Sequence, residues 1–339
     1  MASSPNPPLE TLMLTLAAGD GLPGPPRALF LGAEPHPAMR EWREVVGWQP
    51  LKPKADAWNA AGFPWVEDLP EARWPVVLVL PGKSRDETLF WFALARDHLE
   101  PGGRLVAAMP NTAGARRFER ELARATGGVV SVQKSRCRGF HVVDDGSWDE
   151  TLFGQWRRLG EPRLIQGTSF VARAGIFSSD HVDAGSRLLA DHLPADLRGR
   201  VADLGAGWGF LAHAALGRCP GIGRLELFEA DARALACARQ NLAGQARQIA
   251  YHWHDVTTGL PGSYDAILMN PPFHTGQATD VDLGRAFLTT AAAALGRGGQ
   301  LLLVANRQLP YGAVLEASGL TWRQVAEDQA YRILFATRR

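Results

Sequence analysis

The chain carries the same order of turn signals in its two halves, and this repetition restricts the fold more than any other feature. In each half an apolar strand pattern runs into Leu-Gly-Ala, a second ends at a proline, and a third follows a Gly-Gly turn. The matched segments are 27–37 with 200–210, 76–83 with 266–273, and 99–111 with 295–306. Similarity over so long a period indicates duplication of a whole domain.

Helical patterns lie between these segments, at 85–99, 230–243 and 284–296. Strands that alternate with helices predict a parallel sheet covered on both faces. The sequence therefore predicts an α/β protein with two tandem Rossmann-like domains, each built on a mostly parallel seven-stranded sheet. The polar, glycine-containing stretch 144–162 is typical of a linker, and we divide the chain into domains at 1–155 and 156–339.

The charge balance excludes a protein that coats nucleic acid by bulk positive charge, since 36 Lys and Arg face 35 Asp and Glu. It leaves room for a local basic patch. The three cysteines show no CxxC pairing, which argues against a zinc site or a disulfide framework and fits a reducing compartment. The sequence predicts neither a membrane helix nor a signal peptide, so we expect a cytoplasmic protein without a membrane partner.

A glycine-rich turn at the end of one predicted strand marks the expected cofactor site. Gly205, Gly207 and Gly209 alternate there, and Asp203 stands just before them. A strand-turn-helix of this kind brings bare backbone close to a ligand. The glycines alone also fit nicotinamide or flavin enzymes. The preceding acid and the G-x-G-x-G spacing favour a cofactor with an ammonium group to bind, such as the sulfonium S-adenosylmethionine.

Two further acids end the next two predicted strands. Glu229, at the end of the second strand, is expected to accept hydrogen bonds from ribose hydroxyls. Asp255, at the end of the third, is expected to accept from the amine of an adenine. His252 and His254 flank Trp253, but no third ligand accompanies them, so we predict no metal.

The segment Asn270-Pro271-Pro272-Phe273 is the most specific chemical signal of the chain. Proline cannot donate to a central ladder, so strand pairing is predicted to stop at Asn270. The two prolines make a rigid loop, on which the Asn270 amide oxygen and the Pro271 carbonyl are each expected to accept one N–H of a planar amine. Phe273 is expected to stack on the ring that carries this amine. The pattern predicts methyl transfer to an amino nitrogen.

The first copy lacks the residues that would face a ligand. Four such positions differ between the copies: Asp203 corresponds to Phe30, Gly207 to Glu34, Gly209 to His36, and Asn270 to Leu80. We therefore predict that the N-terminal domain is a degenerate copy that does not bind the cofactor.

Taken together, these segments resemble the bacterial ribosomal RNA guanine-N2 methyltransferases, in particular those of small-subunit 16S rRNA. The resemblance is strongest at 175–189, 203–209, 269–276 and 304–311, and looser at 78–88, 100–119 and 134–140. It implies two tandem class I methyltransferase domains, the first for RNA recognition and structural support and the second for catalysis.

The same resemblance implies S-adenosylmethionine as the cofactor and ribosomal RNA or an assembling ribosomal subunit as the partner. It assigns Asp203, Gly205, Gly207, Gly209, Glu229 and Asp255 to the cofactor, and Asn270, Pro271, Pro272 and Phe273 to the target guanine. We expect a monomer.

Three alternatives stay open from the sequence. A sister family uses the same motifs on large-subunit 23S rRNA. The proline turn also serves adenine-N6 and protein glutamine-N5 methylation, since each of these substrates presents a planar NH2 group. A non-catalytic RNA-binding assembly factor is the third alternative, and the intact acids and Asn270 argue against it.

A strip of basic residues is a candidate RNA contact. Its members are Arg116, Arg117, Arg120, Arg124, Lys134, Arg136, Arg138, Arg157, Arg158 and Arg163. Phe140 and Trp156 are interspersed with them, which is a pattern typical of nucleic-acid binding. The alternative is a solvated helix face that Glu119 and Glu121 neutralise.

Overall fold

The computed structural model describes residues 6–18, 26–272 and 278–339. It divides into two compact units. The first contains the described residues up to Glu161 together with Arg173–Gly175, and the second contains Pro162–Ala172 and Ile176–Arg339. Each unit is an α/β fold built on a seven-stranded sheet, and this confirms the fold predicted from the repeated turn signals.

The first unit alternates strands and helices along the chain. Its helices are α1 (Pro7–Ala17), α2 (Lys52–Ala60), α3 (Arg85–Asp97), α4 (Ala115–Thr126) and α5 (Glu150–Arg158). Its strands are β1 (Arg27–Leu31), β2 (Glu44–Trp48), β3 (Trp65–Val66), β4 (Trp74–Val79), β5 (Leu99–Pro110), β6 (Val130–Lys134) and β7 (Cys137–Val143). Short 3-10 helices lie at Pro37–Glu41 and Asn111–Ala113.

The second unit begins with a small hairpin and then repeats the same plan. The hairpin strands are β8 (Arg163–Leu164) and β9 (Val171–Ala172). The sheet strands are β10 (Arg198–Leu204), β11 (Gly221–Glu229), β12 (Gln248–Trp253), β13 (Tyr264–Met269), β14 (Leu295–Asn306), β15 (Leu320–Glu327) and β16 (Tyr331–Arg338). The helices are α6 (Ala184–Asp191), α7 (Phe210–Arg218), α8 (Ala232–Asn241), α9 (Ala278–Ala294) and α10 (Tyr311–Ala317), with a 3-10 helix at Val256–Thr258.

The two sheets have the same strand order. The first runs β3-β2-β1-β4-β5-β7-β6 and the second runs β12-β11-β10-β13-β14-β16-β15. In the second sheet the five strands from β12 to β14 pair in parallel, whereas β16 pairs antiparallel to both of its neighbours. The strand order reverses between β10 and β13, and such a switch point opens a crevice at the carboxyl ends of the strands.

Alternating residues of the central strands supply the two cores of the second unit. On β13, Leu268 is buried against α7 and α8 on one face of the sheet, whereas Ile267 and Met269 are buried against α9 on the other. Successive side chains of a strand point to opposite faces, so a strand buried on both sides is apolar throughout. The same alternation places Asp203 of β10 on the face of Val201, which α7 covers.

The stretch read as a linker from its glycines contains helix α5. Leu152, Phe153 and Trp156 of this helix are buried in the core of the first unit. The first unit therefore continues to Glu161, and the division drawn between residues 155 and 156 falls inside α5. Local composition could not reveal this helix, since its stability comes from packing rather than from its propensity.

No helix among the described residues is both long enough and apolar enough to span a bilayer.

Candidate functional site

The glycine-rich turn follows β10 in a conformation that requires glycine. Gly205, Gly207 and Gly209 have φ of +68°, +54° and +90°, a region that side chains rarely adopt. A Cβ on Gly205 would also lie 3.3 Å from Cε1 of Phe287. The backbone N–H of Gly205 donates to the carbonyl of Phe228 on β11, at 2.8 Å. The turn is thereby fixed between two parallel strands, with bare backbone at the crevice.

Asp203 is a buried carboxylate without a hydrogen-bonding partner among the described residues. Its side chain is fully buried, and neither carboxylate oxygen accepts a hydrogen bond. Burial, with a smaller contribution from the Glu229 carboxylate, raises the pKa of Asp203 to about 7. The nearby N–H of Ala212 in α7, which forms no hydrogen bond with this carboxylate, opposes the rise. A buried acid left unpaired is costly, so the site is suited to a cationic group.

Glu229 ends β11 and binds the glycine turn. Its Oε2 accepts from the N–H of Gly207 at 2.7 Å, and its Oε1 accepts from the N–H of Asp231 at 2.8 Å. Burial raises the pKa of Glu229, although these N–H groups favour the charged form. Each carboxylate oxygen can accept a second hydrogen bond, so Glu229 can still receive two hydroxyl groups.

Asp255 lies two residues beyond the end of β12 and caps the 3-10 helix that follows. Its Oδ1 accepts from the N–H of Thr257 at 2.9 Å and from the hydroxyl of the same residue at 2.7 Å. Its Oδ2 accepts no hydrogen bond from the part of the chain that the structure describes. The cap fixes the orientation of the carboxylate and leaves one oxygen for a ligand.

The two histidines beside Trp253 have separate partners. Nε2 of His252 lies 3.0 Å from Oε2 of Glu226, and Nε2 of His254 lies 2.6 Å from the carbonyl oxygen of Gly259. Within residues 6–18, 26–272 and 278–339, no group of three or more His, Cys, Asp or Glu side chains is placed to hold a metal ion.

Asn270 follows β13, whose pairing with β10 ends at Met269. The amide nitrogen of Asn270 donates to Oδ2 of Asp183 at 2.9 Å and to Oγ of Ser186 at 2.8 Å. An ionised carboxylate only accepts hydrogen bonds, so the side of the amide that faces Asp183 must be the nitrogen. The amide oxygen of Asn270 is consequently directed away from Asp183 and left to accept. Pro271 and Pro272 come next, whereas Phe273 lies outside the described residues.

One cleft brings the glycine turn and Asn270 together. Its empty volume, open solvent at the mouth included, is about 410 Å³, and its lining includes Asn270, Asp183, Ser186, Gly205 and Gly207. The glycine turn and the start of the proline turn, two separate motifs of the sequence, therefore share one cavity. Asp203 lies buried outside the lining. Glu229 reaches the cleft through its hydrogen bond to Gly207.

Asp183 and Ser186 are functional candidates that motif reasoning missed. Asp183 is the N-cap of α6 and accepts from the backbone N–H of Ser186 at 2.8 Å. Its spacing from Ser186, just before a helical pattern, could have identified the cap. The second hydrogen bond of Asp183 joins it to Asn270, 87 positions further along the chain. No feature of the neighbouring sequence indicates this contact.

The basic strip has nine of its ten members in the first unit, with Arg163 in the second, and it is only partly available to a ligand. Arg124, Arg138 and Arg157 form ion pairs with Glu121, Glu119 and Asp97, respectively. Arg158 of α5 is exposed and forms no ion pair with a described residue. The same holds for five strip members on two other elements, namely Arg116, Arg117 and Arg120 of α4 and Lys134 and Arg136 of the β6–β7 hairpin. We call these five residues the basic face. The prediction that Phe140 and Trp156 belong to a nucleic-acid-binding surface with these basic residues is wrong, because both are buried in the core of the first unit.

Replacing Asp183 with alanine should lower the rate of the methyl transfer that the sequence predicts at least tenfold, because the amide nitrogen of Asn270 would lose one of the two acceptors that orient it. Loss of the cap should also cost about 1 kcal/mol of folding stability. Asp149→Ala is the matched control: Asp149 caps α5 by accepting from the N–H of Leu152 at 3.0 Å. Thermal unfolding should change equally in both variants, whereas steady-state methyl transfer should fall only in Asp183→Ala. Equal turnover in the two variants would refute the orienting role.

Comparison with known proteins places this geometry in a family. The family model of the methyltransferase small domain matches residues 167–335. The ribosomal RNA small subunit methyltransferase C of Shewanella loihica is 32% identical over 76% of this chain and 75% of its own. The enzyme of the same name from Shewanella baltica is 29% identical over 80% and 79%, respectively.

Among solved structures, the fold matches a T. thermophilus 16S rRNA N2 G1207 methyltransferase in complex with AdoMet and guanosine. The TM-score is 0.80 at 24% identity, over 97% of this chain and 92% of that chain. Both units of the present chain are therefore included in the match. The family matches confirm the resemblance seen in the sequence: this chain is a methyltransferase and belongs to the ribosomal RNA small subunit methyltransferase C family.

Proposed function

We propose that the protein transfers the methyl group of S-adenosylmethionine to the exocyclic N2 amine of a guanine in 16S ribosomal RNA. The observation that carries this proposal is the fixed orientation of Asn270. Its amide nitrogen is held by Asp183 and Ser186, so its oxygen is presented as an acceptor in the cleft that the glycine turn also lines. A planar NH2 group that donates to this oxygen would lie in the same cleft as the glycine turn, where the methyl group of the cofactor is expected.

The residues at the carboxyl ends of β10, β11 and β12 fit the cofactor. Gly205 and Gly207 allow close approach to the backbone, and the unpaired Asp203 carboxylate suits the ammonium end of the cofactor. Glu229 has acceptor capacity for the ribose hydroxyls, and the second oxygen of Asp255 can accept from the adenine amine. The three acids follow neighbouring strands in the order β10-β11-β12. An extended cofactor would therefore meet them in the order ammonium group, ribose, adenine.

The chemistry assigned to the protein is positioning and polarisation. The cofactor supplies a methyl carbon made electrophilic by its sulfonium. The lone pair of an exocyclic amine is delocalised into its ring, and two acceptors, the Asn270 amide oxygen and the Pro271 carbonyl, draw its N–H groups out of the ring plane. With the cofactor held by Asp203, the glycine turn, Glu229 and Asp255, transfer of its methyl group to this nitrogen would leave the electron pair of the carbon–sulfur bond on sulfur, and the proton of the amine would leave to water. Fixing the reactants in this way supplies most of the rate enhancement.

The names of the relatives support this substrate. The Shewanella proteins are called ribosomal RNA small subunit methyltransferases, and the T. thermophilus enzyme is named for N2 methylation of a 16S rRNA guanine and was solved with guanosine. We infer the same substrate class for this chain, with Asn270, Pro271, Pro272 and Phe273 at the target base.

The first unit is proposed to be a degenerate copy. Its turn after β1 is held as in the second unit, since the N–H groups of Gly32 and Ala33 donate to the carbonyl of Trp48. Gln49, the residue after Trp48, thus corresponds to Glu229. Its amide nitrogen donates inward to the carbonyl of Ala33 at 3.0 Å, whereas the Glu229 carboxylate accepts from the turn. An inward-facing amide cannot replace a carboxylate that receives two ribose hydroxyls.

Two further differences would exclude a cofactor from the first unit. Phe30, at the position of Asp203, is fully buried and apolar, so it offers no partner to an ammonium group. Glu34, at the position of Gly207, accepts from Asn6 and Lys54 and adds a bulky charged side chain where the second unit has bare backbone. We propose that this unit supports the fold and holds RNA.

The basic face is the proposed RNA-holding surface of the first unit. Ser135 and Arg136 form the tight turn between β6 and β7, and the carbonyl of Arg136 accepts from the N–H of Asn111 at 2.9 Å. This bond fixes the hairpin beside the start of α4. Cations from two elements are thereby gathered in one region, which fits contacts to the phosphate backbone.

The double variant Arg116→Ala/Arg120→Ala should weaken RNA binding about tenfold at low salt and flatten its salt dependence. Each lost phosphate contact removes roughly 0.7–0.9 from the slope of log K against log salt. The matched control is Arg40→Ala/Arg43→Ala, which removes two exposed arginines of the same unit. Fluorescence anisotropy with labelled 16S rRNA fragments at several salt concentrations gives both quantities. Equal slopes for the two double variants would contradict the proposed surface.

Methyl transfer to isolated RNA and subunits tests the proposed function directly. The full-length protein is incubated with tritiated S-adenosylmethionine and with 16S rRNA, 23S rRNA or small subunits from a strain that lacks the protein. Digestion to nucleosides should recover the label as N2-methylguanosine from the small-subunit RNA. Label in 23S rRNA, in N6-methyladenosine or in protein would overturn the proposed substrate, and a lack of transfer to any of them would overturn the activity.

A further inference from the structure

Phe177 is an exposed aromatic side chain at the cleft. The residue is 58% exposed, and it lines the same cavity as Asn270 and Gly205. Exposed aromatic rings leave apolar area in contact with water, and at a concave site such a ring is typical of a surface that a ligand covers. Neither the cofactor contacts nor the amine contacts described above use this ring.

The backbone on both sides of Phe177 is held in place. Ile176 is buried with Trp208 in a small apolar cluster, and the indole N–H of Trp208 donates to the carbonyl of Ser178 at 3.1 Å. Ser178 itself has φ of +52°, a conformation that costs free energy in a residue with a side chain. The hydroxyl of Ser178 also donates to the carbonyl of His181 at 2.7 Å. A fixed and strained backbone therefore presents the ring at the cleft.

The neighbouring polar groups of this wall are already engaged. Asp183 and Ser186 both accept from the amide nitrogen of Asn270. The lining has two further aromatic residues, Trp208, which is buried, and Phe210, which is partly buried. Phe177 is the exposed aromatic residue of the lining and thus the one most open to an incoming group. The group that approaches Asn270 is, under the proposed function, a flat purine.

The strand order places the cleft beside Asn270 and Phe177 far from the expected adenine site. Asp255 lies beyond β12 and Asn270 beyond β13, and β11 and β10 lie between these strands. Neighbouring strands are about 4.8 Å apart, so the two ends are separated by roughly 14 Å. A ring that shares a cavity with Asn270 is thus better placed for the substrate base than for the adenine of the cofactor.

We propose that Phe177 stacks on the ring of the target guanine and holds it with its amine at Asn270. This inference rests on the proposed guanine substrate and adds a residue that determines base affinity. A target base in RNA must leave its own stack to reach such a site. The contact with Phe177 replaces part of the stacking that the base loses.

Binding of guanosine to the full-length protein tests the proposal without turnover. The affinity is measured by ligand-observed NMR in the presence of S-adenosylhomocysteine, for the wild type and for Phe177→Ala, Phe177→Leu and Phe177→Tyr. Leu164→Ala is the matched control, because Leu164 is an apolar residue of the same unit that is 70% exposed and lies outside the cleft lining. Calorimetry gives the affinity for S-adenosylhomocysteine alone.

The alanine and leucine variants should each bind guanosine about fivefold to 150-fold more weakly, the range expected for the loss of one base–aromatic stack. The tyrosine variant should restore binding, and all variants should bind S-adenosylhomocysteine within about twofold of the wild type. Unchanged guanosine affinity in Phe177→Ala, full affinity in Phe177→Leu, or a parallel loss of cofactor affinity would each overturn the stacking role. A wild type that neither binds guanosine nor methylates RNA would instead overturn the proposed function.

Discussion

The Asn270→Ala variant is expected to lose about 10²–10³-fold in kcat while its affinity for S-adenosylmethionine stays within about twofold of the wild type. The magnitude is that of removing one preorganised polar contact from a transition state. The amide oxygen of Asn270 is proposed to interact with the amine, whereas the proposed cofactor contacts come from β10, β11 and the loop after β12. Single-turnover methyl transfer to 16S rRNA and calorimetry of cofactor binding separate the two effects.

Asn59→Ala is the control for this variant. Asn59 is exposed near the end of α2 in the first unit, and its replacement should leave kcat and cofactor affinity unchanged. Asn270→Asp is a more stringent variant, since it keeps the shape but faces Asp183 with a second carboxylate at the present 2.9 Å contact. We expect it to be impaired as well. Near-wild-type transfer by Asn270→Ala would exclude the amide from the chemistry.

Much of the fold could be predicted because its determinants are local. The Leu-Gly-Ala turns after β1 and β10 and the prolines after β4 and β13 terminate strands whatever surrounds them. Their repeated order predicted the two sheets that the structure contains. The prolines also placed the end of β13 correctly, since its pairing ends at Met269. Such signals act through φ restriction and lost donors, which depend on neighbours in sequence.

Features that depend on contacts between distant parts of the chain could not be predicted from the sequence. Helix α5 occupies a stretch with linker-like composition because Phe153 and Trp156 find a core to pack into. The two aromatics among the basic residues face inward for the same reason. The orientation of Asn270 depends on Asp183 and Ser186, which are more than 80 positions away. Both lie in the segment 175–189 that shows the family resemblance, but nothing in the sequence indicates their contact with Asn270. Long-range packing and hydrogen bonding decide these cases.

The buried Asp203 should lower the stability of the cofactor-free protein, and Asp203→Asn should reverse this effect. The pKa of Asp203 is raised by burial from 3.8 to about 7. Folding therefore disfavours its charged form, and the penalty is absent below the unfolded pKa, grows as the pH rises, and is complete above about pH 7. At 1.36 kcal/mol per unit the upper limit is about 4 kcal/mol, from which the desolvation of the new amide subtracts about 1–3 kcal/mol.

The expected result is that the variant unfolds at a higher temperature than the wild type, with a larger difference at pH 8 than at pH 5. Glu226→Gln is the control of opposite sign. Glu226 is also buried, but Arg200 and Arg224 pair with it and its pKa is lowered, so its neutralisation should destabilise the protein, and more strongly above pH 5. If both substitutions shifted the unfolding temperature in the same direction at pH 8, an uncompensated charge at Asp203 would not be the cause.

Cofactor binding should respond to Asp203→Asn in the opposite direction from stability. The ammonium of S-adenosylmethionine is proposed to favour the ionised carboxylate, so the wild-type affinity should fall as the pH drops below about 7 and Asp203 takes up a proton. Asp203→Asn should bind the cofactor at least about tenfold more weakly at pH 8, a loss of about 1.4 kcal/mol, and the gap should narrow towards pH 5.5. Calorimetry at several pH values across this range measures the cofactor affinity of both proteins. A more stable variant that bound the cofactor as tightly as the wild type at every pH would mean that the burial of this acid serves no ligand.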